Sequence, residues 1–449
     1  MSVVDTLLRN GTLVTCNGTD DVVVGDLLIR GRNIVAIGKN AGKMAASGGR
    51  MVRVVDATDC AVIPGFVQAH VHLCQVLFRG MADDLPLLEW LKRRIWPLEA
   101  SHDAASLRTS AELGLVEMMK AGTTAILDMG TVHHHDEVFD ACERSGIRAL
   151  SGKTMMDKGE GVPRGLRETT KESLRESERL CTTWSGRGDG RLGYAFAPRF
   201  ILSCSEALVR GASDRAREHG AFLHTHAAEH PDERKAVRRI LGAEDVAVLE
   251  RWGVSGERAV LAHGVQLTDG EAKRVARLGT RVTHCPSANL KLGSGIARVA
   301  ELRALGVAMA LGADGAPCNN NLDPWVELRH AALLAKVRTS VTSLPAKEAF
   351  RLATIDGAVA LGMGDVTGSL EAGKRADLAV VRLDGAHVEP GGDVFSKLVY
   401  ACTSRDVRHV FVDGTQVVAF GEHRMLDESA ILARARDEGP KVARRARLR

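Results

Sequence analysis

The sequence predicts an α/β protein: a (β/α)8, TIM-like barrel carrying a small β-sandwich assembled from both chain ends. Three observations predict it. Eight strand-like apolar runs cross the middle of the chain, most followed by a helix-like stretch. Both ends instead carry short β-like runs broken by turn residues. Histidines and carboxylates recur at the C-terminal ends of the predicted middle strands, where a barrel gathers its chemistry.

The N-terminal runs are Asp5–Leu8, Thr12–Thr15, Val22–Ile29 and Asn33–Ile37, separated by Asn10-Gly11, Gly18 and Gly31. The middle runs are Ala61–His72, Thr123–Met129, Ala149–Met156, Leu192–Phe200, Ala221–His226, Ala259–His263, Arg281–His284 and Val307–Ala313. Between them the spacing predicts helices over Ala104–Lys120, Glu206–His219, Asp232–Leu241, Asp269–Leu278 and Ala346–Ala360. The far end adds Asp377–Arg382 and a hairpin, Val407–Val412 and Gln416–Phe420 around the turn pair Asp413-Gly414. The expected organisation is residues 1–62 as the first part of the sandwich, 63–364 as the barrel, and 365–449 as the second part with a helical tail. A doubly wound open sheet is the alternative, but no G-x-G-x-x-G follows the first strand and no G-x-x-x-x-G-K-[ST] occurs.

Composition narrows the function classes. The chain has 449 residues, with 45% hydrophobic and 26% charged, which suits a globular protein with a large core. Sixty Lys+Arg against 56 Asp+Glu leaves +4, too little to make a polyanion the default partner. The basic run from Arg434 to Arg449 reads as a frayed, solvated helix end rather than a nucleic-acid or membrane contact. Nine scattered cysteines with no C-x-x-C pair fit free thiols in a reducing compartment. No signal-peptide pattern opens the chain, and no run of about 18 apolar residues occurs, so the expected location is the cytoplasm. The expected partner is a small molecule, with no nucleic acid and no membrane; a homo-oligomer is left open.

The strand ends carry the chemistry. His70 and His72 follow strand one, His226 and Glu229 strand five, His263 strand six, His284 strand seven and Asp314 strand eight. His70-Val71-His72 puts two imidazoles on one side of a strand. Joined by a third imidazole and a carboxylate, they make a borderline site of the Zn²⁺ or Fe²⁺ type. Such an ion lowers the pKa of a bound water from ~16 to about 7.

The motifs PGFVQAHVHLCQVLFRG, HTHAAEH, VLAHGV, HCPSANLKLGSG and LGADGAP, in this order, resemble the amidohydrolase superfamily. The likeness is to its branch of cytosine, guanine, adenosine-type and triazine aminohydrolases. GSLEAGKRADLAVV resembles that superfamily's return into its β-sandwich. The resemblance implies one divalent metal per chain, Zn²⁺ first and Fe²⁺ second, held by His70, His72, His226 and Asp314. Strand four offers no lysine for a bridging carbamate, so a mononuclear site is implied; Lys153 lies on strand three. The H-x-x-E spacing favours His226 over His224, which would then be a barrel-wall histidine. Asp314 would accept the water's proton. His263 would orient the water or stabilise the tetrahedral centre. Glu229 would protonate a ring nitrogen and then the leaving amine. The implied reaction is hydrolytic deamination of an amino-N-heterocycle, with His284 lining the end of strand seven.

Two cues to the ring conflict. Phe78-Arg79-Gly80 through Trp96-Pro97-Leu98-Glu99 resembles deaminases of S-adenosylhomocysteine, methylthioadenosine and 5′-deoxyadenosine, in which the glutamate matching Glu99 grips the ribose hydroxyls. Trp90 would wall the ring's pocket. Gln75 and Arg199 instead resemble guanine deaminase, where Gln and Arg contact the purine edge. The longer match favours an adenine-containing nucleoside; an oxopurine, a pterin or a triazine is the alternative. The Arg164 and Arg167 side chains read as solvated loop charges.

Overall fold

The computed structural model describes residues 4–448. Arg449, at the end of the basic run, lies outside them. Eight parallel strands form the barrel: Phe66–Val71, Thr123–Met129, Arg148–Gly152, Leu192–Pro198, Phe222–Ala227, Ala259–His263, Arg281–His284 and Met309–Leu311. Each pairs with its successor, and a parallel bridge between Val71 and Asp314 joins last to first. At that seam the Asp314 N–H donates to the His70 carbonyl at 3.0 Å. A Cβ on Gly312 would lie 2.5 Å from the same carbonyl, so closure demands glycine there.

The apolar run Ala61–His72 is two strands, not one. Cys60–Pro64 joins the end sheet and Phe66–Val71 opens the barrel. Pro64 has no N–H to extend a ladder, and a Cβ on Gly65 would collide with Thr124. The helices Ala104–Lys120 and Asp269–Leu278 stand where the spacing predicts them, and Glu206–Glu218 and Pro231–Leu241 differ by one residue. Asp103, Ser205 and Thr268 cap three of them by accepting backbone N–H bonds. Ala346–Ala360 breaks into Ala346–Leu352 and Ile355–Ala360, because Thr354 leaves helical geometry and its hydroxyl donates back to Phe350 O at 2.9 Å.

The two chain ends share one nine-stranded mixed sheet, the small β-sandwich domain. Asp5–Val14 is a single bulged strand that pairs with Val52–Asp56 near its start and Cys60–Pro64 near its end. The hairpin forms as expected: Asp413 and Gly414 have φ of 51° and 77°, the left-handed pair that matches strand twist. The helix Lys39–Ser47 and the strand Val52–Asp56 were not legible as elements; each is short and mostly exposed.

The C-terminal tail is a docked helix, Glu428–Arg445, rather than a frayed one. Ile431 and Val442 are buried, Arg434 pairs with Glu112, and Arg445 pairs with Asp103 at 2.9 Å. Its basic residues are therefore partly spent on the barrel. Among the described residues no helix is long and apolar enough to cross a membrane, and all nine cysteines are free and buried.

One buried ion network ties barrel to sandwich. Arg148, on barrel strand three, donates to Asp377 at 2.8 Å and lies 3.5 Å from Asp413. Breaking one member of a buried pair leaves the other charge stranded, at a cost of about 3–5 kcal/mol. Arg148→Ala is expected to lower the unfolding free energy by that order, read from chemical denaturation; a value within ~0.5 kcal/mol of wild type would show that the network is not structural.

Candidate active site

The strand ends deliver one compact cluster. His70 Nε2 lies 3.4 Å and His72 Nε2 3.3 Å from Asp314 Oδ1. His72 Nε2 and His226 Nε2 are 3.3 Å apart. Ligand atoms of His70, His72 and His226, and separately of His70, His263 and Asp314, lie within 4.8 Å of one another. Asp314 and His263 adopt left-handed φ of 62° and 75°. Such backbone persists only where surrounding structure enforces it, and it aims both side chains into the barrel mouth.

Each imidazole has its outer nitrogen occupied. His72 Nδ1 contacts Met129 O at 2.7 Å and His226 Nδ1 contacts Arg199 O at 2.8 Å; a carbonyl can only accept, so both Nδ1 atoms carry the proton. Their Nε2 lone pairs then face the cluster. His70 Nδ1 meets His224 Nε2 at 2.8 Å. His224 is thus more than a barrel wall: it holds His70's ring, a role the H-x-H spacing of strand five did not reveal. His263 Nδ1 contacts Asn289 Oδ1 at 2.9 Å, leaving its Nε2 3.8 Å from Asp314 and 3.6 Å from Glu229.

Burial keeps these rings neutral. It lowers the pKa of His70, His226 and His263, and that of His72 to about 3, where the neighbouring His70 adds to the effect. Burial opposes ionisation of Asp314, but the surrounding imidazoles, His70 first and then His263 and His72, hold it well below the usual carboxylate range. Glu229 goes the other way: burial first, then the Asp314 charge, pushes its carboxyl well above normal. Two carboxylates in one site thus differ in protonation, the arrangement that separates base from acid.

A cavity opens over the cluster. Its polar side is His72, His226, Glu229, His263, Asp314 and Arg199; its apolar side is Leu87, Trp90, Leu91, Phe200 and Leu292. Trp90 is one of the lining residues. The conflicting substrate cues turn out to be one buried chain of hydrogen bonds. Gln75 Nε2 donates to Glu99 Oε1 at 2.8 Å, and Arg199 Nη1 donates to Glu99 Oε2 at 2.7 Å. Only Arg199 of the three lines the cavity. His284 is buried and does not line it. Lys153 is paired with Glu168 at 2.5 Å, and Arg164 and Arg167 are exposed.

Sequence reasoning missed Asp128. Its Oδ1 accepts the Leu73 N–H at 2.8 Å and its Oδ2 the Ser151 hydroxyl at 2.7 Å, fixing the backbone just beyond His72. An Asp one residue from the end of the strand Thr123–Met129, fully buried there, was the available signal.

An eight-stranded barrel with imidazoles and a carboxylate gathered at one mouth defines the class, and the chain belongs to the amidohydrolase family, whose profile matches residues 61–417. It is 36% identical, over 97% of its own length and 99% of the relative's, to the 5-methylthioadenosine/S-adenosylhomocysteine deaminase of Syntrophomonas wolfei. It is also 36% identical to the 5′-deoxyadenosine deaminase of Methanosarcina acetivorans, covering 98% and 99% of the two chains. Among solved structures, an adenosine deaminase from Xanthomonas campestris with bound zinc superposes with a TM-score of 0.91 at 32% identity, covering 98% of this chain and 99% of that one.

Proposed function

We propose that the protein is a metal-dependent hydrolytic deaminase of an adenine-containing nucleoside of the 5′-deoxyadenosine, methylthioadenosine, S-adenosylhomocysteine or adenosine type. The products are the hypoxanthine nucleoside and ammonia. The convergence of three imidazole Nε2 atoms and Asp314 on one point carries this reading, supported by the named relatives. The residues fit a cation: His70 Nε2 is buried without a hydrogen-bond partner among the described residues, and the rings are neutral as ligation requires. His70, His72, His226 and Asp314 would hold one ion, Zn²⁺ before Fe²⁺ for a nitrogen-rich set of four. When bound, that ion would acidify water and polarise the attacked carbon's surroundings.

The chain's own groups do the proton work. Asp314, kept ionised, accepts the proton of the attacking water. His263, with Nδ1–H fixed on Asn289, turns an Nε2 lone pair toward that water and orients it. Glu229, kept protonated, donates to the ring nitrogen beside the attacked carbon; the proton it later regains goes to the leaving amine. Arg199 has N–H donors to spare after Glu99 takes one, and these meet an acceptor on the purine or ribose. Glu99 acts through Arg199, with Gln75 holding its other oxygen. The free buried cysteines suit a reducing setting, and the cytoplasm is the proposed location.

Ammonia release from adenosine, 5′-deoxyadenosine, methylthioadenosine, S-adenosylhomocysteine, guanine, a pterin and melamine tests the reading. Turnover of the first four and not the last three is expected; guanine alone as substrate would overturn it. Glu99→Ala should lower kcat/KM for nucleosides by at least about tenfold, as loss of a charged hydrogen bond implies, while free adenine suffers less. Equal losses for base and nucleoside would remove the ribose from this pocket.

A further inference from the structure

The geometry points to Glu327 as a positioning residue that locks the two strained catalytic loops to each other, an inference resting on the deaminase reading. Glu327 sits on the helix Pro324–Arg338 that follows strand eight and is 1% exposed. Its Oε2 accepts the Ser287 N–H at 3.1 Å, and its Oε1 accepts from Asn319 Nδ2 at 2.8 Å.

Each contact leads to a different catalytic group. Ser287 lies on the short helix Pro286–Lys291, whose Asn289 fixes the His263 ring at 2.9 Å. Asn319 Nδ2 also donates to the carbonyl of Ala313 at 2.8 Å, the residue before Asp314. One carboxylate therefore braces the backbone behind Asp314 and the helix behind His263. These are the two site residues held at positive φ, the conformation that needs outside enforcement.

The carboxylate is costly where it stands. Its hydrogen-bond partners are the Ser287 N–H and the Asn319 amide, and burial pushes its carboxyl up to about 7. Both of its contacts are N–H donors, so two acceptor oxygens are required. Glutamine supplies one acceptor and one donor, which would oppose either the Ser287 N–H or the Asn319 amide. An apolar residue would fill the space without serving either loop.

The test uses full-length zinc-loaded enzyme carrying Glu327→Gln, Asn319→Ala, or both, measured for kcat, KM, zinc content and thermal midpoint on the nucleoside that wild type turns over best. Each single variant is expected to lose about 10–100-fold in kcat, the usual cost of removing an outer support. KM should stay within about threefold, under ~0.7 kcal/mol, and zinc content should not change. The double variant should fall no further than about twofold below the weaker single one, since both act through one brace. Where Glu327→Gln does not fold, Asn319→Ala carries the test. A lower thermal midpoint with unchanged kcat, or fully additive losses, overturns the inference while leaving the deaminase reading intact. Wild-type enzyme without nucleoside turnover overturns the deaminase reading, and the inference with it.

Discussion

His70→Ala is expected to reduce bound metal from about one ion per chain to a small residue, with turnover falling in step. His70 lies on the first barrel strand at the closing seam, and its Nε2 faces Asp314 without another partner among the described residues. Removing it takes away one of the four proposed ligands and strands His224, whose Nε2 meets His70 Nδ1 at 2.8 Å. The loss should exceed the about 10–100-fold in metal affinity that an outer partner is worth. His224→Ala gives the internal scale: the ligand remains but its ring is no longer held, so metal affinity should fall by about that 10–100-fold. Elemental analysis after dialysis against a graded chelator reads both. Equal metal retention in wild type and His70→Ala would remove His70 from the ligand set. A His224 variant as depleted as the His70 variant would place His224 in the ligand set beside His70.

Glu229→Gln is expected to keep the metal and lose about 10²–10⁴-fold in kcat, the range for a positioned acid–base group. The amide keeps the shape but carries no transferable proton. The sign of the pH effect follows from the raised carboxyl pKa, caused by burial and then by Asp314. A group that must be protonated to act works below its pKa and fails above it. The wild-type kcat/KM should therefore fall on the alkaline side as Glu229 ionises, and the variant's residual rate should lack that limb. Unchanged turnover, or an unchanged alkaline limb in the variant, would assign the proton transfer elsewhere.

Most of the barrel was legible because its strands are continuous apolar runs with turn residues between them. What failed was local punctuation. Pro64-Gly65 split a run that reads as one strand, since a switch of sheet partner has no hydrophobic signature. Thr354 broke a helix by bonding its own backbone. The cluster's inner members were legible because period-two spacing and strand-end position are sequence properties. Their supports were not: His224, Asp128 and Glu327 reach across separate elements, to partners 154, 55 and 40 residues away. The rival ring cues had a similar cause. Gln75, Glu99 and Arg199 look like votes for different substrates when read singly, but they are one hydrogen-bonded chain of which Arg199 alone reaches the cavity.

Anomalous diffraction from crystals of zinc-loaded protein, recorded on both sides of the zinc edge, addresses the metal centre most directly. One peak per chain is expected, bonded by Nε2 of His70, His72 and His226 and by a carboxylate oxygen of Asp314, at about 2.0–2.2 Å. No peak there, or a peak held by other side chains, would contradict it.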